Sequence, residues 1–566
     1  MLIAVIAAFA GWWLADRPRA VEAEWDKPLA SVSFAPFRRG ESPLTKRYPS
    51  PAQVESDIKS LVGRTEGIRT YTPREGLEVV PELAAKYGLK VTLGAWLGRD
   101  AGINDAETNA MIAEANAHPD SIQRVIVGNE VLLRKDLTAA QLIAQIRKVK
   151  AAIKQPVSYA DVWAFYLQNP EVGQEVDYIT IHILPFWEDE PMAVKDIEAH
   201  SMDVIDQIRA KFPGKPILIG EVGWPSLGRD RGPAVVDLVN QASLVRQIAN
   251  IAARHGFDYN IVEAFDQPWK SELENTVGGS WGIFDEARKP KFAMTGPVKL
   301  VPDWHNRAHW AMALGALATL LLAGRTKSPL AFAMAAQALS AVLVTTIFHA
   351  LAVTFQPWQD YWLVLRIGLP ALIFLATMIR LRDWLSDPTL ALQGAPAAFF
   401  GKAPILARDP WRGQVWLVLS ALYAVGWTGF LLFDGRYRDI PEFDFAVPVA
   451  ATILLVWVRL ALAFSQGGSL RAALAFEGLF PGRRSLATRI LAWLLPISAF
   501  AAMLSESLAL LDGRDFTAMH PALSDQLPYA LNALIWNREM DLWAAMLLVW
   551  SVPFILSRRS NGATSD

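Results

Sequence analysis

The chain has 566 residues, more than one ordinary domain holds, and a formal net charge of −2, which argues against nucleic acid or another polyanion as partner. It contains no cysteine, which excludes disulfides, thiolate metal sites and a cysteine nucleophile. The hydrophobic fraction of 52% averages two solvents: residues 23–300 carry charges throughout, whereas from about Ala308 long apolar runs alternate with short polar connections.

Residues 2–15 form an apolar run somewhat shorter than the ~20 residues of a usual span. It reads as an uncleaved signal anchor over residues 1–22. The alternatives are a signal-peptide core cleaved at Ala20-Val-Glu-Ala23 and a true start lying upstream.

Between Leu29 and Phe292 eight short apolar segments have strand character: Ala30–Phe37, Gly67–Tyr71, Lys90–Trp96, Arg124–Asn129, Gln155–Ala160, Val176–Ile183, Pro216–Glu221 and Tyr259–Phe265. Polar or amphipathic stretches of helical length separate them, such as Ala139–Lys154 and Ala193–Ala210. Strands alternating with helices predict a parallel sheet with crossover helices, and eight such units suit a (β/α)8 TIM barrel of about 250 residues. An open doubly wound sheet would carry a glycine-rich phosphate loop after its first strand; Phe34-Ala-Pro-Phe37 is nothing like one. The expected organisation is a soluble barrel over 23–302, followed by an all-α polytopic transmembrane region over 303–566.

That second region contains apolar runs at about 308–323, 330–353, 361–379, 415–433, 445–464, 488–511 and 541–557, each long enough, or nearly so, to cross a bilayer. Arg325 and Lys327 sit in one connection, and Arg380, Arg382, Lys402, Arg408 and Arg412 in the next on the same side. Arg471, Arg483, Arg484, Arg558 and Arg559 continue that side. On the other, 354–360 has no base and the later two connections are mixed, with Arg436 and Arg438 in one and Arg514 and Arg538 in the other, each with acids nearby. The positive-inside rule then puts the C-terminus in the cytoplasm and the barrel outside, although Arg17 and Arg19 run mildly against this. Arg366, Arg459 and Glu506 fall inside apolar runs, as members of a transport path or as mutual partners holding a bundle together.

Catalytic groups of such barrels come from the C-terminal ends of strands. Two segments share one design, an apolar strand ending in a carboxylate: Arg124-Val-Ile-Val-Gly-Asn129-Glu130 and Pro216-Ile-Leu-Ile-Gly-Glu221-Val-Gly-Trp-Pro225. Glu130 and Glu221 are therefore the candidate catalytic pair, as acid/base and nucleophile of a retaining glycosidase. Around them the strand ends supply Arg69, Tyr71, Asn129, Trp163, His182, Phe186, Trp224, Asp266, Trp269 and Lys270 as candidate substrate-binding residues. Flat aromatic faces and hydrogen-bonding groups suit a carbohydrate cleft, with Asn129 placed for a sugar 2-hydroxyl; no metal cluster and no cofactor are expected. Bland readings stand beside these: a hydrogen-bonded core histidine for His182, a structural ion pair at the cleft base for Arg69, and core packing for Trp163, Phe186 and Trp187.

Four segments carry a family resemblance: Ile68-Arg-Thr-Tyr71, Val127-Gly-Asn-Glu130, Ile219-Gly-Glu-Val-Gly-Trp-Pro225, and Phe265-Asp-Gln-Pro-Trp-Lys270 with Trp281-Gly-Ile-Phe284. On these the chain resembles glycoside hydrolase family 17, the β-1,3-glucanases and β-glucanosyltransferases. The resemblance implies Glu130 as acid/base, Glu221 as nucleophile, and a β-glucan oligo- or polysaccharide as substrate. Gln267 stands where relatives often have an acid. A barrel joined to a polytopic region also looks like the bacterial membrane enzymes named β-(1→6)-glucan synthases. That looser resemblance implies a multi-pass protein of the bacterial inner membrane, in contact with the lipid bilayer and working on periplasmic glucan, with a glucan synthase in the same membrane as a candidate partner. The alternatives are a β-1,3-glucanase and a membrane glucan exporter or scaffold with an accessory barrel. Synthesis from a nucleotide sugar is not expected, since no Gln-x-x-Arg-Trp motif is present.

Overall fold

The computed structural model describes residues 2–21, 23–301, 303–352, 364–386, 422–429, 431–432, 446–465 and 486–559. The chain divides into two compact units. One comprises Pro18–Leu300 with Leu510–Tyr529, the other Met1–Arg17, Val301–Ala509 and Ala530–Asp566.

In the first unit eight parallel strands close into a barrel in chain order: β1 (Leu29–Ser33), β2 (Thr65–Arg69), β3 (Lys90–Ala95), β4 (Ile122–Asn129), β5 (Val157–Val162), β6 (Ile179–His182), β7 (Ile217–Val222) and β8 (Asp258–Ile261). The TIM-barrel expectation is met. The strands are short and rich in Val and Ile because both faces are covered, by the barrel interior on one side and by helices on the other. The helices are amphipathic. Ala139–Lys150 starts at a capping box between Thr138 and Gln141 and buries Leu142, Ile146 and Val149 on one face. Leu238–His255 is capped by Asp237 at its start and ends at Gly256, whose φ of 68° favours glycine.

Three expected strands run several residues longer in the sequence than in the structure. The sixth, expected over 176–183, covers only Ile179–His182. β1 stops at Ser33, before Pro36. β8 stops at Ile261, and beyond it the backbone bonds to new partners: Ala264 N–H donates to Ser33 O and Phe265 pairs with Phe284.

Register delivers the site. His182 on β6 lies opposite Glu221 on β7, and Ser33 on β1 opposite Arg69 on β2. Between β4 and β5 the register shifts after Ile126, where Gly128 has φ 89°; a Cβ there would lie 2.8 Å from Val131 Cγ2. Glu130 follows in the left-handed region at φ 52°, uncommon for a non-glycine residue and the kind of backbone that functional sites hold.

The same unit takes in residues from the far end of the chain: His520 Nε2 is 3.8 Å from Asp189 Oδ2, and Phe516, His520 and Tyr529 pack together.

In the second unit, three helices are long and apolar enough to cross a membrane among the described residues: Trp304–Arg325, Pro329–Leu351 and Ile490–Leu511. Leu2–Ala15 is a shorter apolar helix, with Phe9 edge-on to Trp304 at 5.3 Å. Helices Leu369–Ser386, Ala446–Ser465 and Arg538–Arg559 complete the long described elements. Residues 415–421, 430 and 433 of one expected run lie outside the described residues, as do 361–363 of another. Lys402, Arg408, Arg412, Arg436, Arg438, Arg471, Arg483, Arg484 and the side chain of Arg459 lie outside them too. Of the intramembrane charges expected, Glu506 is buried, and the Arg366 guanidinium sits 5.3 Å from the Trp427 ring centroid.

Gly220 keeps the barrel interior open beside the site, since a Cβ on it would lie 2.4 Å from Thr180 Cγ2 and 3.2 Å from Arg69 Nη1. Gly220→Ala is expected to destabilise the barrel by about 1–3 kcal/mol, read as a lowered thermal midpoint; an unchanged midpoint would contradict this packing.

Candidate functional site

At the C-terminal mouth of the barrel Glu130, His182 and Glu221 converge. One carboxylate oxygen of each glutamate and a ring nitrogen of His182 all lie within 4.8 Å of one another. His182 Nδ1 is 2.9 Å from Glu130 Oε1, and its Nε2 is 3.6 Å from Glu221 Oε1, so the imidazole spans the two carboxylates. His182 is fully buried, in keeping with the hydrogen-bonded core reading, yet its partners are the candidate pair.

Glu221 is tightly held. Tyr71 Oη donates to Glu221 Oε1 at 2.9 Å, and Arg69 Nη1 lies 3.3 Å from the same oxygen. Arg69 is the ion pair at the cleft base that the sequence suggested. It also donates to Gly220 O (2.7 Å) and to Asn129 Oδ1 (2.6 Å), which fixes that amide with its NH2 as the donor end. Its guanidinium carbon stands 4.6 Å from the Tyr71 ring centroid. Burial pushes the Glu221 carboxyl up; the charges of His182, Arg69 and Lys270 and the Tyr71 hydroxyl outweigh it and hold the group below its ordinary value.

Further groups ring this core. Lys270 pairs with the buried Glu263, and Asp266 pairs with Lys291 at 2.8 Å while accepting from Gly282 N–H. Burial raises Asp266 to about 6 despite Lys291. Asp161, buried, bonded to Tyr159 and close enough to feel the Glu130 charge, is pushed up to about 7. Trp269 is half-buried, edge-on to Phe37, and donates its indole N–H to Gln267 Oε1 at 3.0 Å. Gln267 is itself pinned to Ala35 O and Phe265 O, so it orients an aromatic where an acid was the alternative. Trp163 is half-buried against the core.

Two of the expected sugar-facing residues do not face the cleft. Trp224 is buried, and its indole N–H is taken by Val235 O at 2.9 Å. Phe186 is buried edge-on among Trp187, Trp224 and Trp281. Their aromatic neighbours and the Val235 carbonyl hold these two rings inward.

Sequence reasoning missed three contributors. Asn260, on β8, donates to Ser33 Oγ (2.8 Å) and to Gly220 O (3.0 Å), and Ser33 in turn meets the Tyr71 hydroxyl at 2.9 Å. The available signal was a polar residue inside an apolar strand, Tyr259-Asn260-Ile261. The third is Glu274: burial raises it to about 7, Lys270 pulls it back, and the charges of Glu130, Glu263 and Glu221 add to the rise.

Glu130, His182 and Glu221 are also spaced as a cation's ligands would be. Glu221 Oε1 already takes the Tyr71 hydroxyl and the Arg69 guanidinium, so a cation there would be set against a fixed positive charge.

Two close carboxylates under a cluster of aromatics at the mouth of a (β/α)8 barrel define a glycoside hydrolase. Residues 31–282 match the BtgE/BtgC glycoside hydrolase domain, and the barrel is similar to the family 17 glycoside hydrolases. A glucan 1,3-β-glucosidase of Arthroderma benhamiae is 27% identical over 258 residues, covering 43% of this chain and 83% of the relative. The corresponding enzyme of Candida albicans is 25% identical over 268 residues, covering 42% and 85%. A family 17 β-1,3-glucanosyltransferase structure from Rhizomucor miehei is 23% identical, covering 47% of this chain and 98% of its own, with a TM-score of 0.42.

A carboxyl held below its ordinary value stays ionised as pH falls, so what it contributes at neutral pH fades only as pH drops through that depressed value. Tyr71→Phe removes one of the bonds that depress Glu221. The acid limb of the pH profile for glycoside turnover is expected to move to higher pH while the alkaline limb stays. Superimposable acid limbs would refute the assignment.

Proposed function

We propose that the barrel is a retaining β-1,3-glucan-active enzyme whose main reaction is glucanosyl transfer, elongating or β-1,6-branching glucan, and that the apolar helices hold it in a membrane. The reading rests on one observation: Glu130 and Glu221 present oxygens within 4.8 Å of one another. That spacing fits the ~5–5.5 Å of retaining pairs rather than the wider gap of inverting ones, which must admit a water between.

In this reading Glu221, kept ionised by Arg69, Tyr71 and His182, attacks the anomeric carbon. The glycosidic C–O bond breaks as Glu130 gives its proton to the departing oxygen, leaving a glycosyl ester on Glu221. An acceptor hydroxyl then attacks that carbon, Glu130 takes its proton, and the Glu221 carboxylate is released. Asn129, with its NH2 turned away from Arg69, is the group to bond the 2-hydroxyl.

Water and a sugar hydroxyl compete for the ester, and an acceptor held in attack geometry wins through effective concentration. The half-buried Trp163 and Trp269 support transfer as apolar surfaces against which an acceptor can rest. The hydrolytic reading is favoured by the names of the Arthroderma and Candida relatives, both glucan 1,3-β-glucosidases.

The distribution of Lys and Arg across the connections supports a barrel on the extracytoplasmic side of a bacterial inner membrane, with the lipid bilayer around the apolar helices and a glucan synthase as a candidate neighbour.

Full-length protein in detergent, incubated with laminari-oligosaccharides, is expected to yield products longer than the substrate. Glu221→Gln is expected to lower turnover by about 10³-fold or more. Only shorter oligosaccharides and glucose would establish the hydrolase instead, and an active Glu221→Gln would remove the mechanism altogether.

A further inference from the structure

Trp96, at the end of β3, has no part in the site as built above, and its exposure is out of keeping with its surroundings. Among the described residues of the barrel unit it is the one exposed tryptophan, at 44%, whereas Trp224 and Trp281 are buried. Leaving so large an apolar face in water costs about 25 cal/mol for every Å² that burial would have removed.

The residue is nevertheless anchored. Its backbone N–H donates to Glu107 Oε2 at 3.0 Å, and the Arg134 guanidinium carbon lies 4.4 Å from its ring centroid. That guanidinium is clamped in turn: it bonds Leu97 O and Asp136 Oδ2, each at 2.8 Å, and Asn129 O. Arg99 Nε holds the other oxygen of Asp136 at 3.1 Å. One face of the indole thus meets a clamped guanidinium, while much of its remaining surface meets solvent. An exposed aromatic already held against a clamped group is a preorganised platform, since a ligand stacking on it bears less of the ordering cost.

Its position says which part of a ligand it would meet. Arg134 is anchored on the carbonyl of Asn129, the residue immediately before Glu130. The platform therefore stands on the Glu130 side of the carboxylate pair, whereas Glu221 is held from the β2 and β6 side by Arg69, Tyr71 and His182. In the reaction proposed above Glu130 serves the departing and incoming oxygen, so chain bound on its side is leaving group in the first step and acceptor in the second.

We propose that Trp96, held by Arg134, is a stacking platform for a glucosyl unit on the acceptor side of the bound β-glucan. The apolar face of a pyranose ring covers the indole, and Arg134 acts as a positioning residue through the ring. This rests on the β-glucan reading of the site, and the test keeps the two apart.

Binding of laminaribiose and laminarihexaose to the full chain carrying Glu221→Gln is measured by calorimetry, with and without Trp96→Ala or Trp96→Phe. Trp96→Ala is expected to weaken laminarihexaose about tenfold and laminaribiose less than twofold, with an unchanged thermal midpoint, while Trp96→Phe keeps most of the affinity. In the otherwise native chain Trp96→Ala is expected to lower the ratio of transfer to hydrolysis and leave the acid limb of the pH profile in place. Equal laminarihexaose affinity with and without the indole would overturn the platform and leave the β-glucan reading standing. Failure of the parent to bind either sugar would overturn both.

Discussion

Glu221 is a carboxylate taken almost wholly out of water, and that is tolerable only because partners from two other strands meet it. Arg69 and Tyr71 come from the end of β2 and just beyond it, His182 from β6, and Asn260 on β8 braces the same carbonyl that Arg69 uses. Remove the partners and burial would drive the group toward its neutral form. The barrel's closure is what brings them together, since β2 and β7 are not neighbours in the sheet and meet only across its interior. The closed sheet is thus a precondition for an ionised carboxylate at this depth.

Glu130 differs in a way that suits a second role. It is more open to solvent than Glu221, stands on a left-handed backbone beyond a glycine-dependent bulge, and touches the other carboxylate's network only through His182. One glutamate is locked by cations and a phenol; the other is linked to it by the His182 imidazole. Two like groups in unlike surroundings are how a single site separates a nucleophile from an acid.

Much of this was legible in the sequence. Alternation of β-branched runs with amphipathic segments is a local property, and it gave the eight strands and their order. That Glu130 follows β4 and Glu221 lies near the end of β7 could be read from apolar segments ending in an acid, and Arg69 as an ion-pair partner from its place at the end of β2. The aromatics were harder. Trp224 and Trp163 look alike in sequence, but whether a ring faces the cleft or the core depends on its neighbours across the loop, and Trp281 and Val235 decide that for Trp224 and Phe186. Ser33, Asn260 and Glu274 were silent because each acts through register or packing with residues distant in the chain. Strand ends were misplaced by a few residues where Pro36 intervenes and where the backbone beyond β8 bonds to Trp281 and Ser33. The docking of 510–529 within the barrel's unit likewise has no local signature.

The central claim is that Glu221 becomes covalently bonded to sugar. A 2-deoxy-2-fluoroglucosyl donor with a good leaving group slows the second step more than the first, so the ester accumulates and survives proteolysis for mass spectrometry. One added fluoroglucosyl unit is expected on the peptide containing Glu221, lost when a glucan acceptor is supplied. Turnover of an unmodified substrate with no adduct, or an adduct on the Glu130 peptide, would contradict it.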